Sequence, residues 1–262
     1  MDKERKWNTN KASFTRCGDW VKKSYSRVGD AYRDFQLLKE INEVFTPEEV
    51  SGWKYRTLAI QDSDFHHPVI VMEYFSGNSI KEIFEYKGDS KIFRHLGVWL
   101  GLLHNKSENE EGEVLAFNDF TRANVLIDEK NKEIVGIDPG NYTDVYVPPA
   151  VSLVMGAFSV ERGGIRVGVL RTVKCLKWYF YGYERIRRGA PLYKMGHGVK
   201  ELYLRIREGK SRTIFMSYRW MRKLLALGEC GILSVLIVVS RLQARRMLRS
   251  REGRESKLGP EV

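Results

Sequence analysis

Phe117-Asn118-Asp119-Phe120-Thr121-Arg122-Ala123-Asn124-Val125-Leu126-Ile127, with Ile137-Asp138-Pro139-Gly140 after it, places a carboxylate five residues before an amide and a second carboxylate in a tight turn. Between them, Val125-Leu126-Ile127 is a short apolar run that turns at Asp128-Glu129-Lys130-Asn131 and resumes as Ile134-Val135-Gly136-Ile137, which predicts a hairpin. A hairpin returns the amide and the second carboxylate to one place although they are distant in sequence. Those groups suit phosphoryl transfer: one carboxylate to orient an acceptor hydroxyl, and an amide and a carboxylate as hard oxygen ligands for Mg²⁺ on nucleotide phosphates. Taken singly, Asp119 and Asn124 are ordinary loop and cap residues, and Asp138-Pro139-Gly140-Asn141 is a plain β-turn. Their joint spacing is the signal.

Upstream of this stretch the chain predicts strands and one helix. Ala12–Tyr25 is broken by Cys17-Gly18-Asp19, a hairpin turn. Asp30–Val44 places Tyr32, Phe35, Leu38, Ile41 and Val44 at helical spacing. Trp53–Ile60 and Pro68–Phe75 read as two further strands, the second a continuous apolar run suited to burial on both faces. Ser79–Phe84 and Ile92–His104 read as helices, the latter with Leu96, Trp99, Leu100 and Leu103 along one side. From Pro148 onward the pattern is helical, broken at Gly163-Gly164, Gly189-Ala190-Pro191 and Gly228/Gly231. The fold class is therefore α+β in two lobes. The expected division is a strand-rich N-lobe over residues 1–75, a mostly helical C-lobe over 76–223, and an apolar helix with a basic tail over 224–262.

Composition narrows the function classes. The chain has 262 residues, 43% hydrophobic and 29% charged, with a formal charge of +11. That is enough to bury a substantial core, and too apolar for a disordered polymer. Cys17, Cys175 and Cys230 show no metal-ligand spacing and cannot all pair, which argues for a reducing compartment. His66-His67 and His197 form no ligand-spaced cluster, which argues against zinc. The N-terminus lacks a signal peptide's apolar core, so an intracellular protein is expected. Charge is unevenly spread: residues 161–262 carry 24 Lys/Arg against 8 Asp/Glu. Such a surface meets an anionic partner, or is a set of solvated basic helix faces. Leu224–Val239 is too short to span a bilayer. With Arg241, Arg245, Arg246, Arg249, Arg251 and Arg254 after it, it is either a buried helix closing the C-lobe or an interfacial helix on an anionic membrane. The lack of interleaved aromatics argues against nucleic acid.

The Asp119/Asn124/Asp138 set resembles the protein-kinase-like superfamily, most closely its aminoglycoside phosphotransferase-like branch, which reads H-G-D-x-x-x-x-N and then I-D before a small turn. Val71-Met72-Glu73-Tyr74-Phe75-Ser76-Gly77 looks like that family's adenine-holding hinge strand. Leu100-Gly101-Leu102-Leu103-His104 looks like the end of the helix preceding the catalytic loop, with His104 structural. Trp20-Val21-Lys22-Lys23 is similar to the strand carrying the phosphate-pairing lysine, and Tyr179-Phe180-Tyr181-Gly182-Tyr183-Glu184-Arg185 to a late F-x-x-G-Y helix. The resemblance spans residues 12–185. It implies Asp119 as catalytic base and Asn124 and Asp138 as Mg²⁺ ligands. It further implies Lys23, on the same strand face as Val21, as the lysine that pairs the phosphates of ATP. Met72, Glu73 and Phe75 would hold adenine, Glu73 and Phe75 through backbone groups. Asp34 would pair with Lys23, with Glu40 as second candidate.

The departures are specific. Phe117-Asn118 replaces the His-Gly before the catalytic Asp, and no glycine-rich loop is readable before Lys23. The chain is expected to start too late for the first N-lobe strand, and Pro148–Ser152 lacks an acid often found there. Two functions follow. One is an ATP- and Mg²⁺-dependent kinase acting on a hydroxyl of a saccharide or glycolipid, at the cytoplasmic face of the membrane if the resemblance extends to lipopolysaccharide-core or Kdo kinases. The other is a non-catalytic pseudokinase adaptor that docks on membrane or a partner through its basic C-terminal region.

Overall fold

The computed structural model describes residues 5–8, 12–116, 121–137, 146–161, 169–187 and 230–255. The N-terminal lobe is an antiparallel sheet of β1 (Arg5–Asn8), β2 (Ala12–Cys17), β3 (Trp20–Tyr25), β7 (Val69–Glu73) and β6 (Ile60–Asp64), in the order β1-β2-β3-β7-β6. Gly18-Asp19 makes the two-residue turn between β2 and β3, with Gly18 at φ 62°, where a side chain would be strained. Helix α1 (Val28–Val44) follows β3 and buries Ala31, Leu37, Leu38 and Ile41. The expectation that the chain starts too late for a first strand is corrected: Arg5–Asn8 pairs with Ser13–Arg16.

Trp53–Ile60 is not one strand. It splits into β5 (Trp53–Thr57) and β6, because the chain changes sheets at Leu58-Ala59, where Leu58 is buried in the N-lobe core. A second sheet has the order β4-β5-β11-β10-β8, from β4 (Glu48–Val50), β5, β8 (Asn78–Ser79), β10 (Val125–Asp128) and β11 (Glu133–Gly136). β10 and β11 form the hairpin expected from the sequence, and β11 runs parallel to β5, with Ile134 opposite Tyr55. Strands β9 (Val114–Leu115) and β12 (Tyr146–Val147) form a small ribbon.

The second lobe is helical. Helix α2 (Ile80–Lys87) opens on a capping box between Ser79 and Glu82 and closes on Gly88 in the left-handed region, which fixes both ends locally. Helix α3 (Phe93–Ser107) is buried on nearly every side, consistent with the run from Leu96 to Leu103, which is apolar or Gly throughout. Helices α4 (Pro149–Glu161), α5 (Val169–Ile186) and α6 (Cys230–Glu255) complete the described part. Helix α3 approaches α5 closely because Gly97 and Gly182 leave room: a Cβ on Gly97 would collide with the Tyr179 carbonyl, and one on Gly182 with that of Arg94. Helix α6 docks on α5 through Ser240, Arg241 and Ala244, all fully buried, with Arg241 and Arg245 both bonded to Glu184. No helix among the described residues is long and apolar enough to cross a membrane. The architecture is the two-lobed α+β class expected from the sequence, with β-rich N-terminal sheets and a helical C-terminal part. Gly163-Gly164, Gly189-Ala190-Pro191 and Gly228 lie outside the described residues.

Candidate functional site

Strand alternation decides which lysine turns inward. Along β3, Val21, Lys23 and Tyr25 are buried while Lys22 is exposed. A buried ammonium is costly without a partner, and Lys23 has one: its Nζ lies 2.6 Å from Asp34 Oδ2 on α1. The Tyr25 hydroxyl donates to the same oxygen, so one carboxylate is shared by two side chains of one strand face. The rings of Tyr25 and Phe14 lie 5.0 and 5.7 Å from the ammonium and add cation–π attraction. Glu40 does not serve Lys23. It bonds Tyr146, whose phenol is pushed up by burial and by that carboxylate.

Lys23 lines a cavity of about 270 Å³ between the two sheets. Phe14, Val21, Leu58 and Met72 wall it from the N-lobe side, and Leu126 and Ile137 from the hairpin. The hinge residues Glu73, Tyr74 and Phe75 close one edge, and Asn124 stands at another. The result is an apolar slot with a cation inside it. That shape suits a planar base with an anionic group attached.

The hinge is held rigid. Glu73 N–H donates to the Ala59 carbonyl and Tyr74 N–H to the Asp19 carbonyl, so neither is left to offer a ligand. The Glu73 side chain points to Arg56, which grips both carboxylate oxygens at 2.6 Å and reaches Glu133 on β11 through Nε, also at 2.6 Å. Burial alone would raise the Glu73 carboxyl, but the guanidinium outweighs it and holds it below its ordinary range. The Arg56 carbonyl accepts from Trp99 Nε1 at 3.0 Å, and the Trp99 ring fills the space a Cβ on Gly136 would need. Arg56 therefore links Glu73 at the end of β7, the strand leading to Asp138 and helix α3.

Asn124 is fixed by its main chain. Its N–H donates to the Thr121 carbonyl at 2.9 Å, and its own carbonyl accepts from Ile137 N–H at 2.8 Å. Asp138 follows Ile137 directly in sequence. Asp138 and Asp119 themselves, like Phe117-Asn118, lie outside the described residues. The structure thus brings together Lys23, Asp34, Met72, Glu73, Phe75 and Asn124, and says nothing of the two other carboxylates. Among the described residues no cluster of three His, Cys, Asp or Glu side chains is gathered for a metal. Of the candidate Mg²⁺ ligands only Asn124 is therefore on view.

Residues named for structural roles are buried as such. His104 is fully buried between the Tyr183 hydroxyl (2.9 Å) and Ser152 Oγ (2.8 Å), and burial keeps its imidazole neutral. Cys175 is in the core, its thiol pushed to about 12 by burial. His67 is exposed beside Asp64, and His197 lies outside the described residues. Sequence reasoning missed Tyr25 and Arg56. Tyr25 was legible, two residues beyond Lys23 on one strand face. Arg56 was not, because its partners are 17 and 77 residues away.

No protein-family model matches the chain, and no curated protein matches it. Among solved structures, it is similar to a choline/ethanolamine kinase family protein from Mesorhizobium loti, at 11% identity and a TM-score of 0.46, over 95% of this chain and 88% of that one. The likeness concerns the course of the chain and assigns neither an activity nor a branch.

Proposed function

We propose that the chain is an ATP-dependent phosphotransferase acting on an alcohol group. The observation that carries this reading is the Lys23–Asp34 pair inside an apolar slot bordered by the hinge and by Asn124. A base lies between Val21, Met72 and Leu126, and Lys23, oriented by Asp34 and Tyr25, holds the phosphates. Asp119 takes the acceptor proton. Asn124 and Asp138 would hold Mg²⁺, which when bound neutralises charge on the transferring group. Specificity for a sugar or a lipid-linked saccharide, phosphorylated or otherwise acidic, is supported by the basic excess of residues 161–262.

Calorimetry with Mg²⁺·ATP on the wild type and Asp138→Ala tests the site. Binding lost in the variant is expected; equal binding in both would remove Asp138 from it. Asp119→Asn is expected to abolish turnover and spare nucleotide binding, and unchanged turnover would sink the assignment of the base.

A second reading, a non-catalytic adaptor, is favoured by Phe117-Asn118 and by Thr9-Asn10-Lys11, a glycine-free link between β1 and β2. It expects weak or Mg²⁺-independent nucleotide binding. Both readings allow peripheral attachment at the cytoplasmic membrane face through α6. Arg241 is buried there, so deletion of the helix would damage the lobe itself. Arg246→Gln with Arg249→Gln, both on its exposed side, is the cleaner variant for liposome co-sedimentation, and unchanged binding would discard the anchor.

A further inference from the structure

A second cavity, of about 230 Å³, lies between β4–β5 and the helices α3 and α5 and shares no lining residue with the nucleotide slot. It exists because α3 and α5 meet at glycine: with Gly182 against the Arg94 carbonyl, Arg94 and Arg185 come to the rim of one hollow. Neither guanidinium has a carboxylate partner among the described residues. The nearest acid in sequence, Glu184, is taken by Arg241 and Arg245 on the other side of α5.

The floor is polar in a directed way. His95 is buried, and its Nδ1 lies 2.8 Å from the Tyr55 hydroxyl. Its Nε2 lies 3.4 Å from Arg94 Nε, a group that only donates, so the ring proton sits on Nδ1. Burial and Arg94 together keep the ring neutral, with a pKa of about 3. Nδ1–H therefore donates to the Tyr55 oxygen, and the hydroxyl's own proton is left without an acceptor on a side chain only 2% exposed. A buried donor in that condition costs stability unless something accepts from it. Two guanidiniums and an O–H directed to one cavity ask for an anion.

We propose that this cavity binds a small phosphate-class anion, held by Arg94 and Arg185 and by the Tyr55 hydroxyl, at a site separate from the nucleotide slot. Val50, Val98 and the Trp53 ring, tilted at 49° against His95 with centroids 4.5 Å apart, give an apolar wall for the body of the ligand. The site does not depend on the chain being a kinase.

Titration of the full chain with Mg²⁺-free inorganic pyrophosphate, followed by calorimetry, tests it. Arg94→Gln with Arg185→Gln changes only exposed side chains and is expected to weaken binding about tenfold or more. Tyr55→Phe keeps the packing, removes only the hydroxyl, and is expected to weaken binding about fivefold. No binding by the wild type at millimolar pyrophosphate overturns the proposal. Equal affinity in the double arginine variant also overturns it, because the anion is then elsewhere. Loss with the arginines but none with Tyr55→Phe would mean loose attraction to surface charge, and overturns the built site.

Discussion

Asp34 carries more than its size suggests, since it neutralises Lys23 and accepts from Tyr25 in one buried spot. Asp34→Asn removes the carboxylate charge from a buried ion pair and is expected to cost about 3–5 kcal/mol in urea unfolding. Tyr25→Phe removes one hydrogen bond and is expected to cost about 1 kcal/mol. If the two losses were equal, the ion pair would not be the organising contact. Arg56 behaves differently from a lysine in the same place, because its planar fork bonds Glu73 at two oxygens and Glu133 at a third. Arg56→Lys is expected to weaken nucleotide affinity through the displaced hinge, although no atom of Arg56 lines the slot. Unchanged affinity would show that the hinge holds its place without it.

At the scale of elements, the α3–α5 crossing rests on glycines rather than on large side chains. Gly97→Ala drives a methyl group into the Tyr179 carbonyl and is expected to destabilise by about 3 kcal/mol or more, read from the midpoint of urea unfolding. Gly18→Ala meets no neighbour and suffers only from its positive φ, so about 1 kcal/mol is expected there. Elements with strong periodicity were legible: α1, α3, β7 and the β10–β11 hairpin follow their apolar patterns to within a few residues. β6, with the sequence Ile60-Gln61-Asp62-Ser63-Asp64, was not, because an exposed edge strand has no buried face to mark it. Strand alternation singled out Lys23 over Lys22, and the family resemblance implied Asp34 as its partner. The Tyr55–His95–Arg94 cluster was not, because a β-strand and a helix 40 residues apart supply it.

For the molecule as a whole, two histidines buried among the described residues, His95 and His104, weaken the fold in acid. In the unfolded chain His95 and His104 gain protons near 6.5, whereas in the fold burial holds both neutral, His95 down to about 3. The unfolded state thus binds more protons below about 6.5. Stability is full above that pH and falls as pH drops, by about 1.4 kcal/mol per pH unit for each histidine. Urea unfolding between pH 7 and 4 is expected to show that slope, and His95→Gln is expected to make it shallower. A profile unchanged by the substitution would mean that His95 is protonated in the fold.

The parallel pairing of Trp53–Thr57 with Glu133–Gly136 also has a consequence for how the protein is made. A strand leaving the ribosome early must wait for a partner 79 residues later. At about 5–20 residues per second, that is on the order of 4–15 s of translation with one strand edge uncovered. A nascent chain stalled with Glu133–Gly136 still inside the ribosome would expose that edge, and would be a better substrate for chaperones and proteases than one stalled after that strand has emerged.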